Sequence, residues 1–166
     1  MIDKKIIIGS RGSKLALNYA ERAKNEIFSK LNIKEKNLEI KKITTDGDKI
    51  KDVRLSDTGG KGLFSKTIEN ELLNNKIDIA VHALKDMPSD ETSGLTTNCF
   101  LERNDPREVL ISRDKKKFND LNKGSIIGTS SFRREFQLKR IRNDLKYKLI
   151  RGNVDTRIKK LNEKNF

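Results

Sequence analysis

Ile6, Ile7 and Ile8 run unbroken into Gly9-Ser10-Arg11-Gly12-Ser13, and beyond that turn Leu15, Tyr19, Ala23, Ile27 and Leu31 recur every four residues. The first run reads as a strand and the second as a helix with one apolar stripe. Leu38, Ile40 and, after a slip, Ile43 mark a second strand. Residues 46–62 are polar and contain glycine without either period; the stretch is too long for an ordinary connection and is expected to form a mobile functional loop. Phe64, Ile68 and Leu72 restore a helical stripe, and Asp78-Ile79-Ala80-Val81 reads as an interior strand, buried on both sides, that ends at His82. Strand, helix, strand, helix, strand in sequence predicts an α/β domain with a largely parallel sheet.

After "MPSDETSG" the character changes. "LTTNCFLERNDPREVLI" holds two extended pieces around the turn Asn104-Asp105-Pro106, a segment able to carry the chain into a second domain. "GSIIGTSSFRREFQLKRI" repeats the strand, turn, helix design, with Phe132, Phe136 and Ile141 along the helix. "YKLIRGNVDTRIKKL" does so again, with a strand from Lys148 to Ile150 and a helix from about Val154. The organisation expected is a first α/β domain over 1–95, a crossover over 96–107 and a partial second α/β domain over 108–166.

Three times, then, a strand hands over to a helix through arginine and Gly/Ser/Thr: at Arg11, at Arg133 and Arg134, and at Arg151 with Arg157. Helix amino termini offer free N–H groups and partial positive charge, so arginines there make ready anion sites. A different pair, Lys85 and Asp86, stands at the carboxyl end of the strand at 78–82, just before Pro88. On these residues alone it is either a capped surface corner or a site.

Charge sharpens the anion reading. The 166 residues carry 37 Lys and Arg against 24 Asp and Glu, a net +13 that favours anionic partners. Much of the lysine sits in solvated stretches such as "RDKKKFNDLNK", which leaves the arginines as the informative cations. Cys99 is the one cysteine and His82 the one histidine, so neither a disulfide nor a Cys- or His-cluster metal site can be built, and a reducing cytoplasmic setting is expected. No apolar run approaches a membrane span, and "IIIGS" is too short for a signal-peptide core, so a soluble chain without membrane partners is expected. "TGGKGLFSK" lacks the spacing of a phosphate loop. With two tyrosines and no tryptophan there is no stacking array, and nucleic acid is not expected as a partner.

Together, "IGSRGSKLAL", "TTDGDKI", "GGKGLFSKTIENELL", "DIAVHALKDMPS", "ERNDPREVL", "IGTSSFRREFQL" and "RGNVDTRIKKL" resemble hydroxymethylbilane synthase, also called porphobilinogen deaminase, in that family's order and nearly its spacing. The resemblance covers almost the whole chain. It implies a fold like type II periplasmic binding proteins, with a complete first domain, an incomplete second domain and no third. It also implies a monomer that joins four porphobilinogen molecules head to tail, with loss of ammonia, on a dipyrromethane primer held through a cysteine thioether.

By the same resemblance Asp86 is the catalytic carboxylate, stabilising the electron-poor pyrrole left when ammonia departs, and Lys85 pairs with a ring substituent and keeps Asp86 ionised. Arg11 and Ser13 bind pyrrole carboxylates from the first helix start; Arg133, Arg134, Arg151 and Arg157 do so from the second domain, aided by Thr129 and Ser131. Lys61 and Phe64 belong to the loop boundary that closes over the site. Ala83 departs from the family, which usually has serine there. The primer-bearing cysteine belongs to the third domain and is absent from this chain, and Cys99 reads as a small buried hydrophobe. The alternative function is a non-catalytic module that holds porphobilinogen or a linear pyrrole through the same arginines.

Overall fold

The structure is a computed structural model and describes residues 4–50 and 62–163. These gather into two compact units, one of residues 4–50 with 62–102 and the other of residues 103–163.

The first unit is a parallel sheet of β1 (Ile6–Arg11), β2 (Leu38–Ile43) and β3 (Ile79–Ala80), in the order β2-β1-β3. Ile8 pairs with Ile40 on one side and with Ile79 on the other. Ile8 and Ile68 are wholly buried, and Ile43, Ile68 and Ile77 form the core cluster. Each such side chain contributes about 1.5–3 kcal/mol by leaving water. Helix α1 (Lys14–Lys30) is capped by Ser13, whose hydroxyl accepts from the Ala16 N–H at 3.3 Å, and it ends where the Leu31 N–H closes on Ile27. Its buried residues are Ala20 and Ala23. The predicted stripe faces inward along its middle, where Ala23 is buried and Tyr19 and Ile27 are half-buried, while Leu15 and Leu31 at its two ends are each 44% exposed.

Residues 46–49 are not irregular, as expected from sequence, but form a helical turn, α2 (Asp46–Lys49); residues 51–61, the rest of the predicted loop together with Lys61, lie outside the described residues. Helix α3 (Lys66–Leu73) follows and packs Ile68 against the core. Strand β3 is only two residues long and pairs with β1 alone among the described strands, so Ile79 and Ala80 are half-buried where a strand buried on both sides was predicted. Residues 91–111 carry no ladder, and Cys99 is exposed, not the buried hydrophobe expected. Without a partner strand, nothing in that stretch folds over the thiol.

In the second unit β4 (Ile126–Gly128) pairs in parallel with β5 (Lys146–Lys148), and helices α4 (Phe132–Ile141) and α5 (Val154–Asn162) follow the strands. The predicted strand over Lys148–Ile150 therefore lies about two residues too late. Ile150 is instead buried beyond the strand with Ile127 and Leu145. Phe132, Phe136 and Ile141, the predicted inward stripe of α4, are 56%, 64% and 67% exposed. Two three-residue strands offer too little sheet to cover a ten-residue helix.

Candidate functional site

The carboxyl ends of the three parallel strands of the first unit bring its charged groups together. Arg11 is the last residue of β1, Thr45 follows β2 by two residues, and His82 follows β3 by two. In α/β sheets this end is where ligands are held. The Arg11 guanidinium meets Asp48 through Nη2 at 2.5 Å, with Nε facing the second oxygen at 3.5 Å. Its flat face lies 3.8 Å from the centroid of the Phe64 ring. Asp48 is held in turn by the Thr45 N–H at 3.1 Å and the Thr45 hydroxyl at 2.8 Å, both donating to Oδ2. Burial pushes the Asp48 carboxyl up, but the hydrogen bonds from Arg11 and Thr45 outweigh it and hold the group below the usual carboxylate range.

Lys85 and Asp86 sit in a single 3-10 turn, Leu84–Asp86, closed by the Asp86 N–H on the Ala83 carbonyl at 2.9 Å. Lys85 is exposed and Asp86 half-buried. The two make no ion pair with each other or with any other described residue. His82, just upstream, is largely buried; burial drives its pKa down, opposed by the negative charges of Glu69 and Asp86 and assisted by Arg11. The Val81 N–H donates to the Gly9 carbonyl at 3.0 Å, which sets His82 beside the end of β1 that carries Arg11. The ring nitrogen Nε2 of His82 and Oε1 of Glu69 are buried without partners, while Glu69 Oε2 accepts from the Thr92 hydroxyl at 2.8 Å.

The second unit assembles cations. Thr129 is buried after β4, and its hydroxyl accepts from the Ser131 N–H at 3.2 Å; Ser131 caps α4 by accepting from the Arg134 N–H at 3.3 Å. Gly152, at φ +115°, turns its carbonyl to the Arg157 Nε at 2.7 Å. Only glycine takes that backbone easily. Arg157 is pushed down, first by burial and then by the positive charges of Arg151 and Arg134. Arg151 Nε is buried with no partner among the described residues. Arg134 is less free: its Nε and Nη2 both meet Glu108 at 2.7 Å, with Arg133 4.0 Å from the same carboxylate.

Three acids that shape these groups, Asp48, Glu69 and Glu108, are missing from the residues picked out by sequence. For Asp48 a signal exists, since Thr45-x-x-Asp48 spells a capping box. Glu69 and Glu108 have no local signature, because their partners Thr92 and Arg134 are 23 and 26 residues away.

Comparison with known proteins agrees along almost the whole chain. A family model described as "Porphobilinogen deaminase, dipyromethane cofactor binding domain" matches residues 6–166. The porphobilinogen deaminase of Bacillus subtilis is 50% identical over 165 residues, 97% of this chain and 51% of that protein. Those of Bacillus mycoides and a Geobacillus species are each 48% identical, over 98% of this chain and 52% of theirs. The chain spans about half the length of the curated relatives it matches.

Proposed function

Because the chain belongs to the porphobilinogen deaminase family, we propose that it contributes the substrate-holding residues for the stepwise deaminating condensation of porphobilinogen to hydroxymethylbilane. We read the two units as the first domain and the beginning of the second of a type II periplasmic-binding-protein-like arrangement. The observation that carries the proposal is the buried, unpartnered Nε of Arg151 beside the desolvated Arg157. A buried guanidinium N–H without an acceptor among the described residues calls for an anionic one. A pyrrole bearing acetate and propionate supplies one, and a guanidinium fork meets each carboxylate with parallel hydrogen bonds.

The same residues fit a dipyrromethane polycarboxylate: Arg151 and Arg157, with Arg134, Thr129 and Ser131, would hold its acid side chains. When bound, that group supplies the pyrrole carbon to which each new unit is joined. By family resemblance its anchoring cysteine belongs to the third domain of the full-length relatives, and Cys99, exposed in the first unit, does not match it. Porphobilinogen loses ammonia as its aminomethyl C–N bond breaks, the electron pair leaving with nitrogen and the pyrrole nitrogen becoming positive. Asp86, free of any ion pair among the described residues, stabilises that charge and accepts the proton released once the new carbon–carbon bond has formed. Arg11 and Ser13 orient a carboxylate at the end of β1, and Lys85 pairs with a ring substituent. Nothing in this chemistry calls for nucleic acid, a membrane or a second copy of the chain, and its setting is cytoplasmic.

The test is to supply porphobilinogen and measure ammonia release beside intact mass. Ammonia release is the expected result, and a covalent pyrrole adduct beside it would point to retained primer chemistry. Tight binding with neither would replace the catalytic reading by that of a binding module for porphobilinogen or linear pyrroles.

A further inference from the structure

We infer that Asp48 is a positioning residue of this site: it acts through Arg11, holding the guanidinium flat against Phe64 so that one edge alone faces a ligand. The inference rests on the reading of Arg11 as a carboxylate-binding group. Arginine has five N–H donors in a fixed plane. Asp48 faces Nε and takes one hydrogen of Nη2, Phe64 covers one face at 3.8 Å, and Nη1 makes no hydrogen bond among the described residues. Arg11 and Asp48 side chains are only 16% and 21% exposed, so neither swings freely in solvent.

The clamp has its own support on both sides. Asp48 cannot follow Arg11 outward without giving up two hydrogen bonds from Thr45, which is itself wholly buried. Phe64 lies against Gly47, where a Cβ would come within 2.3 Å of the ring, so glycine at 47 is what leaves room for the aromatic platform. A simple competitor for the guanidinium would be a loosely held acid; one tied by Thr45 at two points is built to stay and to orient. The consequence is selectivity. A ligand carboxylate is received end-on through Nη1, and a guanidinium half-neutralised by Asp48 discriminates by geometry more than by charge.

The experiment has two arms. In the unliganded full chain, modification of Arg11 by phenylglyoxal is followed by peptide mass with Arg140 as internal reference. Asp48→Asn is expected to raise the Arg11 rate severalfold with Arg140 unchanged. Thr45→Val, which removes one support of Asp48 but leaves its charge, is expected to give a smaller rise; a role confined to capping α2 would make the two variants equal. In the second arm, Asp48→Asn weakens porphobilinogen binding roughly tenfold, the size of one charge-assisted contact, and has no further effect in an Arg11→Met background. Unchanged Arg11 reactivity, or losses that simply add, would overturn the inference. If porphobilinogen does not bind the wild-type chain at all, the ligand reading fails while the reactivity arm still decides whether Asp48 holds Arg11.

Discussion

Arg142 and Asp144 meet in a two-bond fork, Nε to Oδ1 at 2.7 Å and Nη2 to Oδ2 at 2.8 Å. The same guanidinium donates to the carbonyls of Phe118, Asn119 and Leu121 at 3.1, 3.2 and 2.8 Å. One side chain thereby ties the loop ahead of β4 to the turn that leads into β5. This unit has few buried apolar residues, so its order leans on that polar staple. Arg142→Ala is expected to lower the thermal midpoint of the second unit by several degrees, and Arg142→Lys to recover little, since a point charge cannot serve five acceptors in one plane. Hydrogen exchange over residues 117–148 reads the change; protection equal to wild type in the lysine variant would contradict it.

Gly152 offers a second structural test. At φ +115° an alanine is strained, and its Cβ would lie 2.7 Å from Thr156 Cγ2. Gly152→Ala is expected to cost about 1–3 kcal/mol from the backbone alone. Adding Thr156→Gly removes both close atoms, Cγ2 at 2.7 Å and Cβ at 2.8 Å, but not the dihedral, so urea unfolding of the double variant, compared with Thr156→Gly alone, should recover only part of the loss. Full recovery would show that the close contact, not the backbone, is what demands glycine.

The fold was legible wherever the apolar period was strong. β1, β2 and α3 fall where the pattern puts them, because each buries a face, whereas the start of α5, which has no buried residue, is marked by the Gly152-Asn153 turn. What the pattern misread depends on neighbours it does not encode. The same four-residue spacing describes α1, whose Tyr19 and Ile27 are half-buried, and α4, whose Phe132, Phe136 and Ile141 are exposed, since burial is set by how much sheet lies opposite. The arginines of the candidate site stood out through their place at strand-to-helix turns. Their acidic companions did not, because Asp48 meets Arg11 across 37 residues of sequence.

His82 gives a pH signature. Burial lowers its pKa from 6.5, so the unfolded chain binds a proton that the fold resists. Its contribution to stability is therefore full above about 6.5 and is lost progressively as pH falls toward the lowered folded value. As the chain's one histidine, it dominates the window between roughly pH 7 and 5. His82→Gln is expected to flatten the denaturation midpoint across that window, and a variant that keeps the wild-type slope would exclude His82 as its source.

The cation cluster of the second unit makes a ranking. Arg151→Ala should weaken porphobilinogen binding by about 1.5–3 kcal/mol, the loss of a charge-assisted contact. Lys117→Ala removes an exposed charge and should leave affinity within a few tenths of a kcal/mol. Arg134→Ala falls between them, because Glu108 already occupies two edges of that guanidinium. Calorimetric titration of the three variants gives the order; equal losses at Arg151 and Lys117 would dissolve the arginine assignment.

Asp86 separates catalysis from binding. It stands half-buried at the end of β3 with no cation partner among the described residues, so its charge is not spent on structure. Asp86→Asn keeps the side chain's size and should keep the turn, whose closing bond is the backbone N–H on Ala83. If the carboxylate stabilises the positive pyrrole formed as ammonia leaves, the variant loses an interaction made mainly in the transition state. The rate of ammonia release should then fall by about 100-fold or more, with little change in porphobilinogen affinity, the split expected of a group that acts on the transition state. If the chain only binds, removing a carboxylate from beside an anionic ligand should leave affinity unchanged or raise it. Ammonia release that survives the substitution undiminished would remove Asp86 from the chemistry and leave it a neighbour of His82 alone.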